Sequence, residues 1–175
     1  FYSVMLRLVD AARICVSADS FHDDLPIEFR RQRELSPIRV NKLFAYLLNA
    51  GLEKSDFILP AITCTTSPIE FIGDRAVGTI RVQEDIAWLL ADGQHRIAAI
   101  KRVRAVYHLG RHEKRKLTKT EKFNLDWLLE QHIPVTLFHE CGYEIAQQMF
   151  VDINRNSCKP PRELMEAFDH RGRAL

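Results

Sequence analysis

The sequence predicts an α+β fold in a single domain that covers residues 1–175, and three observations carry this prediction. A chain of 175 residues has about the size of one domain. Its hydrophobic fraction of 46% and charged fraction of 27% are ordinary for a globular protein and exclude a disordered or collagen-like chain. Segments typical of strands and of helices alternate without a strict strand–helix–strand repeat, which indicates α+β. No apolar run reaches the ~18 residues that span a bilayer, so no membrane contact is predicted.

The first third of the chain predicts short strands and one well-delimited helix. Residues 1–8 and 13–16 indicate short strands. Ser36 followed by Pro37 is typical of a helix N-terminus, because the serine hydroxyl caps the first turn and proline fits the first helical position. An apolar stripe then continues to Gly51, which we expect to end the helix.

The middle of the chain predicts three β elements. Residues 57–65 indicate a strand in which Pro60 favours an edge position or a bulge. Two apolar segments on either side of Gly73-Asp74 predict a hairpin. The continuous apolar run 86–91 predicts a buried strand.

The remainder predicts helices, a basic loop and one more strand. A helix follows the buried strand, and Gly110 is expected to end it. Residues 110–122 are predicted to form a basic loop insertion, in which Thr118 and Glu121 have the spacing of a capping box for the next helix. Residues 133–138 indicate a strand. The last large helix is predicted to direct four apolar side chains inward, those of Ile145, Met149, Phe150 and Ile153.

Positive charge is concentrated in one segment of the chain. The net charge is only +2, but residues 101–122 contain nine Lys/Arg and two Glu, so this segment carries +7 and the remainder −5. Concentrated positive charge attracts phosphate and releases counterions on binding nucleic acid, although a charge run is more often a solvated helix face. A second, smaller basic group comprises Arg30, Arg31, Arg33, Arg39 and Lys42.

Cysteine and histidine spacing predicts neither disulfides nor a metal site. The four cysteines are far apart and include no Cys-x-x-Cys pair, at Cys15, Cys64, Cys141 and Cys158. We therefore expect isolated thiols in a reducing cytoplasm. His108 and His112 lie on either side of Gly110 without a glutamate between them, which is not a zinc-binding pattern.

The junction between the buried strand and its helix carries the main chemical signal. Five small or polar residues, Asp92-Gly93-Gln94-His95-Arg96, separate two apolar elements. Gly93 permits a sharp turn, and the amides of the first helical turn together with the helix dipole favour an anion. His95 and Arg96 are placed to add charge-assisted contacts to the same phosphate, and Gln94 to orient a ligand. A capped turn with an Asp92–Arg96 pair explains the same residues without a ligand, so both interpretations stay open.

Two further polar groups follow. The first comprises Asp152, Asn154, Arg155 and Asn156, which either form a helix C-cap or add phosphate donors beside the first motif. The second comprises Asp169, His170 and Arg171. For His170 a structural role is favoured over a catalytic one.

Four ordered motifs carry a resemblance to a known family. They are the LSPIRV segment at 35–40, the DGQHR pentapeptide with the IAAI that follows it at 92–100, the QQMFVDINR block at 147–155, and Lys159-Pro160 with the later Asp-His-Arg. The chain thereby resembles the DGQHR-domain family and, more closely, the DndB-like proteins of DNA sulfur modification (phosphorothioation). The resemblance implies a ParB/sulfiredoxin-like fold whose strand-to-helix turn binds nucleotide phosphates. It also implies a longer full-length protein, of which we expect this chain to be a part.

The resemblance implies a DNA-binding transcriptional regulator of the bacterial sulfur-modification genes, located in the cytoplasm. Its expected partners are DNA, other sulfur-modification proteins and a second copy of itself. Phosphate contacts are assigned to Asp92, Gly93, Gln94, His95, Arg96, Asn154 and Arg155. DNA contacts are assigned to Arg102, Arg104, Arg111, Lys114, Arg115 and Lys116. The loop from Arg111 to Lys116 is expected to lie on the same side as Arg96. The chain departs from the family at two points. Ile97 stands where several relatives have a second Arg, so weaker phosphate binding is expected at the turn. The basic segment from Lys101 to Lys122 is longer than in relatives, so its assignment to DNA rests on its charge and is not implied by the resemblance.

Two enzymatic alternatives remain open. A nucleotide hydrolase would bind ATP or CTP with Mg²⁺ at the same turn, where Arg96 stabilises the transferring phosphoryl group and Asp92 or His95 orients water or the metal. Against it, the chain has no GxxxxGK[ST] loop. A nuclease needs clustered carboxylates, and nothing in the sequence brings its candidates Asp92, Asp152 and Asp169 together.

Overall fold

A computed structural model of the chain describes residues 1–17, 35–74, 77–82 and 86–139, together with residues 145, 148–149 and 151–153. In chain order the elements are β1 (Tyr2–Arg7), α1 (Leu8–Ile14), β2 (Cys15–Val16), α2 (Pro37–Glu53), β3 (Ile62–Thr66), β4 (Glu70–Gly73), β5 (Gly78–Arg81), β6 (Trp88–Asp92), α3 (Gln94–Leu109), β7 (Arg111–His112), β8 (Arg115–Lys116), α4 (Lys119–Leu129) and β9 (His132–His139). Strands and helices are mixed in this order, which confirms the predicted α+β class. The closer likeness to the ParB/sulfiredoxin-like fold stays a prediction.

A five-stranded mixed sheet forms the centre of the fold, with the strand order β1-β9-β3-β6-β2. β9 pairs antiparallel with β1 and parallel with β3. β6 pairs antiparallel with β3 and parallel with β2. The largest fully buried side chains come from the sheet and from all four helices, and include Leu8, Leu47, Trp88, Ile97, Ile100, Leu125 and Leu137.

Local capping signals correctly predicted where three helices begin or end. The Ser36 hydroxyl accepts a hydrogen bond from the amide of Arg39 at the start of α2. Thr118 and Glu121 form the full capping box of α4. Gly110 ends α3 in the left-handed conformation, with φ +63°. The predicted hairpin is present as β4 and β5, and the predicted buried strand as β6.

Two predicted element boundaries differ in the structure. Residues 8–14 form the helix α1, in which Leu8, Ala11 and Ile14 are buried on one side. β3 begins only at Ile62, so Pro60 lies before the strand, although the sheet register does shift between Thr63 and Cys64. Within the predicted basic loop, β7 and β8 form a short hairpin.

Gly51 does not end α2, which continues to Glu53 and is closed by Lys54 in the left-handed conformation. A Cβ at Gly51 would lie 2.7 Å from Leu125 Cδ2 and 2.8 Å from Leu128 Cδ2. This glycine therefore serves the close approach of α4 to α2 and not the helix end.

The last predicted helix is described only in part. Met149 and Ile153 are helical and half-buried, whereas Ile145 is helical but 49% exposed. The prediction that all four side chains point inward was therefore wrong for Ile145. Phe150 lies outside the described residues.

Cys15 and Cys64 are both free and buried, but they are neighbours in space, whereas their spacing in the sequence predicts isolated thiols. Their Sγ atoms lie 3.9 Å apart. The hydrogen bond with Cys15, together with burial, raises the pKa of the Cys64 thiol well above its usual range. β6 separates their strands, and two strand spacings of about 4.8 Å exceed the Cα separation that a disulfide permits. Cys141 and Cys158 lie outside the described residues.

Within the part of the chain that the structure describes, no helix is long and apolar enough to cross a bilayer.

Candidate phosphate-binding site

The turn between β6 and α3 requires glycine. Gly93 adopts φ +101°, which side-chain-bearing residues rarely tolerate. A Cβ there would lie 2.4 Å from Ile62 Cγ2 and 3.3 Å from Arg96 Nε. The bare Cα therefore lets α3 begin directly against β3 and lets the arginine side chain cross the turn. Gly93 is also the N-cap residue of α3 and has no side chain with which to cap it.

Arg96 forms an ion pair with Asp92 across this turn, from Nη2 to Oδ2. The two side chains are 17% and 37% exposed, respectively. The structure thus contains the Asp92–Arg96 pair that explains the turn without a ligand. The carboxylate offsets part of the guanidinium charge. Arg96 Nε is nevertheless buried and has no hydrogen-bond partner among the described residues, so one donor of this group is left over.

His95 and Gln94 hold the turn in place. His95 Nε2 accepts a hydrogen bond of 3.0 Å from the backbone amide of Ser36, and an accepting ring nitrogen carries no proton. His95 thus joins the turn to the N-terminus of α2, and the phosphate contact assigned to it stays a prediction. Gln94 is only 7% exposed, so its side chain lies beneath the turn.

A cleft of about 390 Å³ opens beside the turn. Asp92, Gly93, His95 and Arg96 line it from the junction, Arg39, Lys42 and Leu43 line it from α2, and Pro60 completes it. Three cationic side chains therefore face this volume, and Asp92 is the only carboxylate among the described residues that line it. The electrostatic field in the cleft favours an anion.

Arg39 and Lys42 were recognised from the sequence only as members of a smaller basic group. Their spacing of three residues places them on neighbouring positions of one helical face, directly after the Ser36 cap. That cap contacts His95, which brings both cations to the turn. Arg39 also belongs to the LSPIRV motif, and this is the sequence signal that pointed to its involvement.

The two helical arginines assigned to DNA lie on different sides of α3. Residues two apart on an α-helix are separated by about 200° around the axis. Arg102 lies on the α2 side, where its guanidinium covers the ring of Phe44 at 4.2 Å and donates to Asn41. Arg104 is only partly exposed, and its Nε is buried without a partner among the described residues. They do not form one surface.

The basic hairpin lies at the far end of α3 from Arg96. α3 has 16 residues and is about 24 Å long, but the ring of His112 on the hairpin also lies 6.0 Å from that of Phe44 on α2. Arg115 makes two hydrogen bonds of 2.8 and 2.7 Å to Glu121, which hold the pKa of that carboxylate down at about 2, with help from the amide of Thr118. Arg115 thus secures the start of α4. The other three basic residues, Arg111, Lys114 and Lys116, are exposed.

Several assigned residues cannot be placed. Asn154, Arg155 and Asn156, and the cluster Asp169, His170 and Arg171, lie outside the described residues. Asp152 is exposed and accepts a hydrogen bond from Gln148. Within the described ranges, no three His, Cys, Asp or Glu side chains form a group that could hold a metal ion.

The fold and the cleft define an α+β domain with a positively charged cavity at a strand-to-helix turn. A family model described as DndB, DNA-sulfur modification-associated, matches residues 1–174. The chain therefore belongs to the DndB family and is associated with DNA sulfur modification, which confirms the predicted resemblance to DndB-like proteins. No curated protein and no solved structure is significantly similar to it.

Proposed function

We propose that this chain is a DNA-binding regulator associated with bacterial DNA phosphorothioate modification, and that it contacts backbone phosphate at the cleft. The observation that carries the proposal is the convergence of Arg39, Lys42 and Arg96 on one cavity in which Asp92 is the only lining carboxylate among the described residues. Membership of the DndB family supports DNA as the source of the phosphate, with other DNA sulfur-modification proteins as further partners in the bacterial cytoplasm.

The charge balance supports a binding role for α2 in particular. Asp92 offsets part of the charge of Arg96, so Arg39 and Lys42 supply the larger uncompensated positive charge. Each phosphate that a protein neutralises adds about 0.9 to the slope of log affinity against log salt. Arg39 and Lys42 should together contribute up to about 1.8 to that slope.

The β7–β8 hairpin supports a second contact on the same duplex. The ring of His112 on this hairpin lies 6.0 Å from that of Phe44 on α2, and Phe44 directly follows the cleft residue Leu43. One duplex can therefore contact both the hairpin and the cleft. The exposed Arg111, Lys114 and Lys116 suit this contact. Arg115 does not, because its charge is paired with Glu121.

Fluorescence anisotropy on a labelled DNA duplex at salt concentrations from about 50 to 200 mM tests the proposal. Replacing both Arg39 and Lys42 by alanine should weaken binding and flatten the salt dependence. Arg81→Ala is the matched control, because it removes one cation from an exposed ion pair with Glu70 on the β4–β5 hairpin. An affinity that does not depend on salt, or a double variant that binds like the control, contradicts the proposal.

The size of the cleft favours one alternative, the binding and hydrolysis of a nucleotide such as ATP or CTP with Mg²⁺. A volume of about 390 Å³ lies within the range of small-ligand pockets. The single lining carboxylate, Asp92, is already paired with Arg96, which disfavours its use as a metal ligand. Phosphate release from ATP and CTP, compared with Asp92→Ala and Arg96→Ala, separates the alternatives. Turnover that survives both substitutions indicates a contaminating enzyme.

A further inference from the structure

Arg102 is an exposed cation whose guanidinium is already held in place. Its Cζ lies 4.2 Å from the centroid of the Phe44 ring, and its Nη1 donates a hydrogen bond to the Asn41 side chain. Both partners belong to α2 and neither is charged. This differs from Arg115, whose charge is matched by Glu121. Among the described residues, no carboxylate forms an ion pair with Arg102, so its full charge is available.

The position of Arg102 continues the line of the cleft along α3. Residues seven apart on an α-helix lie on almost the same face, so Arg102 is in line with His95, which lines the cleft. The seven residues from His95 to Arg102 correspond to about 10.5 Å along the helix axis. One strand of duplex DNA carries a phosphate about every 3.4 Å of axial rise, so for a strand that runs along α3, Arg102 lies about three phosphates beyond His95.

We infer that Arg102 binds a second backbone phosphate of the strand that occupies the cleft, and that Phe44 and Asn41 are its positioning residues. The ligand of this surface is then a polynucleotide strand, because a single nucleotide in the cleft does not extend to Arg102. This inference rests on the proposed function, since it assumes that the cleft binds phosphate. The contacts from α2 order the arginine before binding, which reduces the entropy that its side chain loses on complex formation.

The test is fluorescence anisotropy with a labelled DNA duplex over a range of salt concentrations. Arg102→Ala should weaken binding about tenfold, because a charge-assisted hydrogen bond is lost, and should lower the salt slope by about 0.9. Arg102→Lys, Asn41→Ala and Phe44→Leu keep the positive charge. They should retain the salt slope while weakening binding about threefold, since only the stacking or the alignment is lost. Asn41 is exposed, so Asn41→Ala tests positioning without disturbing the core.

Binding of ATP by the same variants tests the class of ligand. Arg102→Ala should leave any ATP affinity unchanged, and a wild-type chain that binds DNA but not ATP also agrees with a polynucleotide ligand. The inference is overturned if Arg102→Ala binds DNA like the Arg81→Ala control while Arg39→Ala is impaired, or if it lowers ATP affinity as much as DNA affinity. The positioning role of Asn41 and Phe44 is overturned if Asn41→Ala and Phe44→Leu both bind DNA like wild type. Failure of the wild-type chain to bind DNA, or equal binding by Arg39→Ala and the control, refutes the proposed function itself.

Discussion

Replacing Gly93 by alanine should lower the free energy of unfolding more than replacing a glycine whose only constraint is a positive φ, because the new Cβ also meets another side chain. The residue has φ +101°, and a left-handed conformation costs a side-chain-bearing residue about 1–2 kcal/mol. The new Cβ would also lie 2.4 Å from Ile62 Cγ2 and 2.9 Å from Ile62 Cβ. Overpacking of this kind costs about 1–3 kcal/mol. We therefore expect Gly93→Ala to lower the free energy of unfolding by about 3 kcal/mol.

Gly110→Ala is the matched control for this prediction. Gly110 also has a positive φ, of +63°, but nothing lies within 4 Å of the position of its Cβ. It should cost only the backbone term of about 1 kcal/mol, so the difference between the variants measures the contact with Ile62. In a chain of this size, a loss of about 3 kcal/mol lowers Tm by about 6–12 °C.

Urea unfolding and thermal melting, followed by circular dichroism, measure both variants. Gly93→Ala also brings its Cβ to 3.3 Å from Arg96 Nε, so DNA affinity should fall at temperatures where the variant is still folded. Unfolding free energies of the two variants that agree within about 0.5 kcal/mol, the usual size of a surface substitution effect, would refute the reasoning. The turn would then tolerate a side chain, and close packing against β3 would not define the site.

Three further predictions concern the framework around the site. The pKa of Glu121 is lowered to about 2 in the folded chain. The contribution of this carboxylate to stability is therefore present above its ordinary pKa and is lost as the pH falls through the folded value. Between about pH 4.5 and 2, the Tm of Glu121→Gln should fall less than that of wild type, and equal falls would contradict this prediction. Ser36→Ala removes the capping hydroxyl but keeps the backbone amide that donates to His95, so it should lower the free energy of unfolding in urea by about 1 kcal/mol. An unchanged free energy of unfolding would show that the cap does not stabilise α2. Cys15 and Cys64 are fully buried, so a chain whose other two cysteines are replaced by serine should react with a thiol reagent only after unfolding, and rapid reaction of the native chain would exclude this packing.

The predictions that held depend on signals only a few residues long. The serine–proline start of α2, the Thr118–Glu121 capping box and the Gly110 helix end each satisfy backbone groups with neighbouring residues. The same holds for the Gly93 turn, where a small or polar pentapeptide between two apolar elements indicated the bend. Such features need no knowledge of what packs against them.

The prediction that failed at Gly51 depends on a distant part of the chain. Gly51 was expected to end a helix, yet it is a packing position because Leu125 and Leu128 lie against it. Arg115 and Lys114 look alike in the sequence, but Arg115 is paired with Glu121, six residues further along the chain. A linear charge count does not distinguish a cation that closes a capping box from one that faces solvent.

Composition, helix caps and the four motifs were sufficient to determine the α+β class, the family and the polar turn that forms one wall of the cleft. The tertiary structure alone decided which cations share that cleft. Arg39 and Lys42 are more than 50 residues from Gly93 in the chain, and they reach it because α2 packs beside α3 with Ser36 against His95. Local signals record how a backbone satisfies its own hydrogen bonds, whereas the electrostatic field of a site is the sum over side chains that only packing brings together.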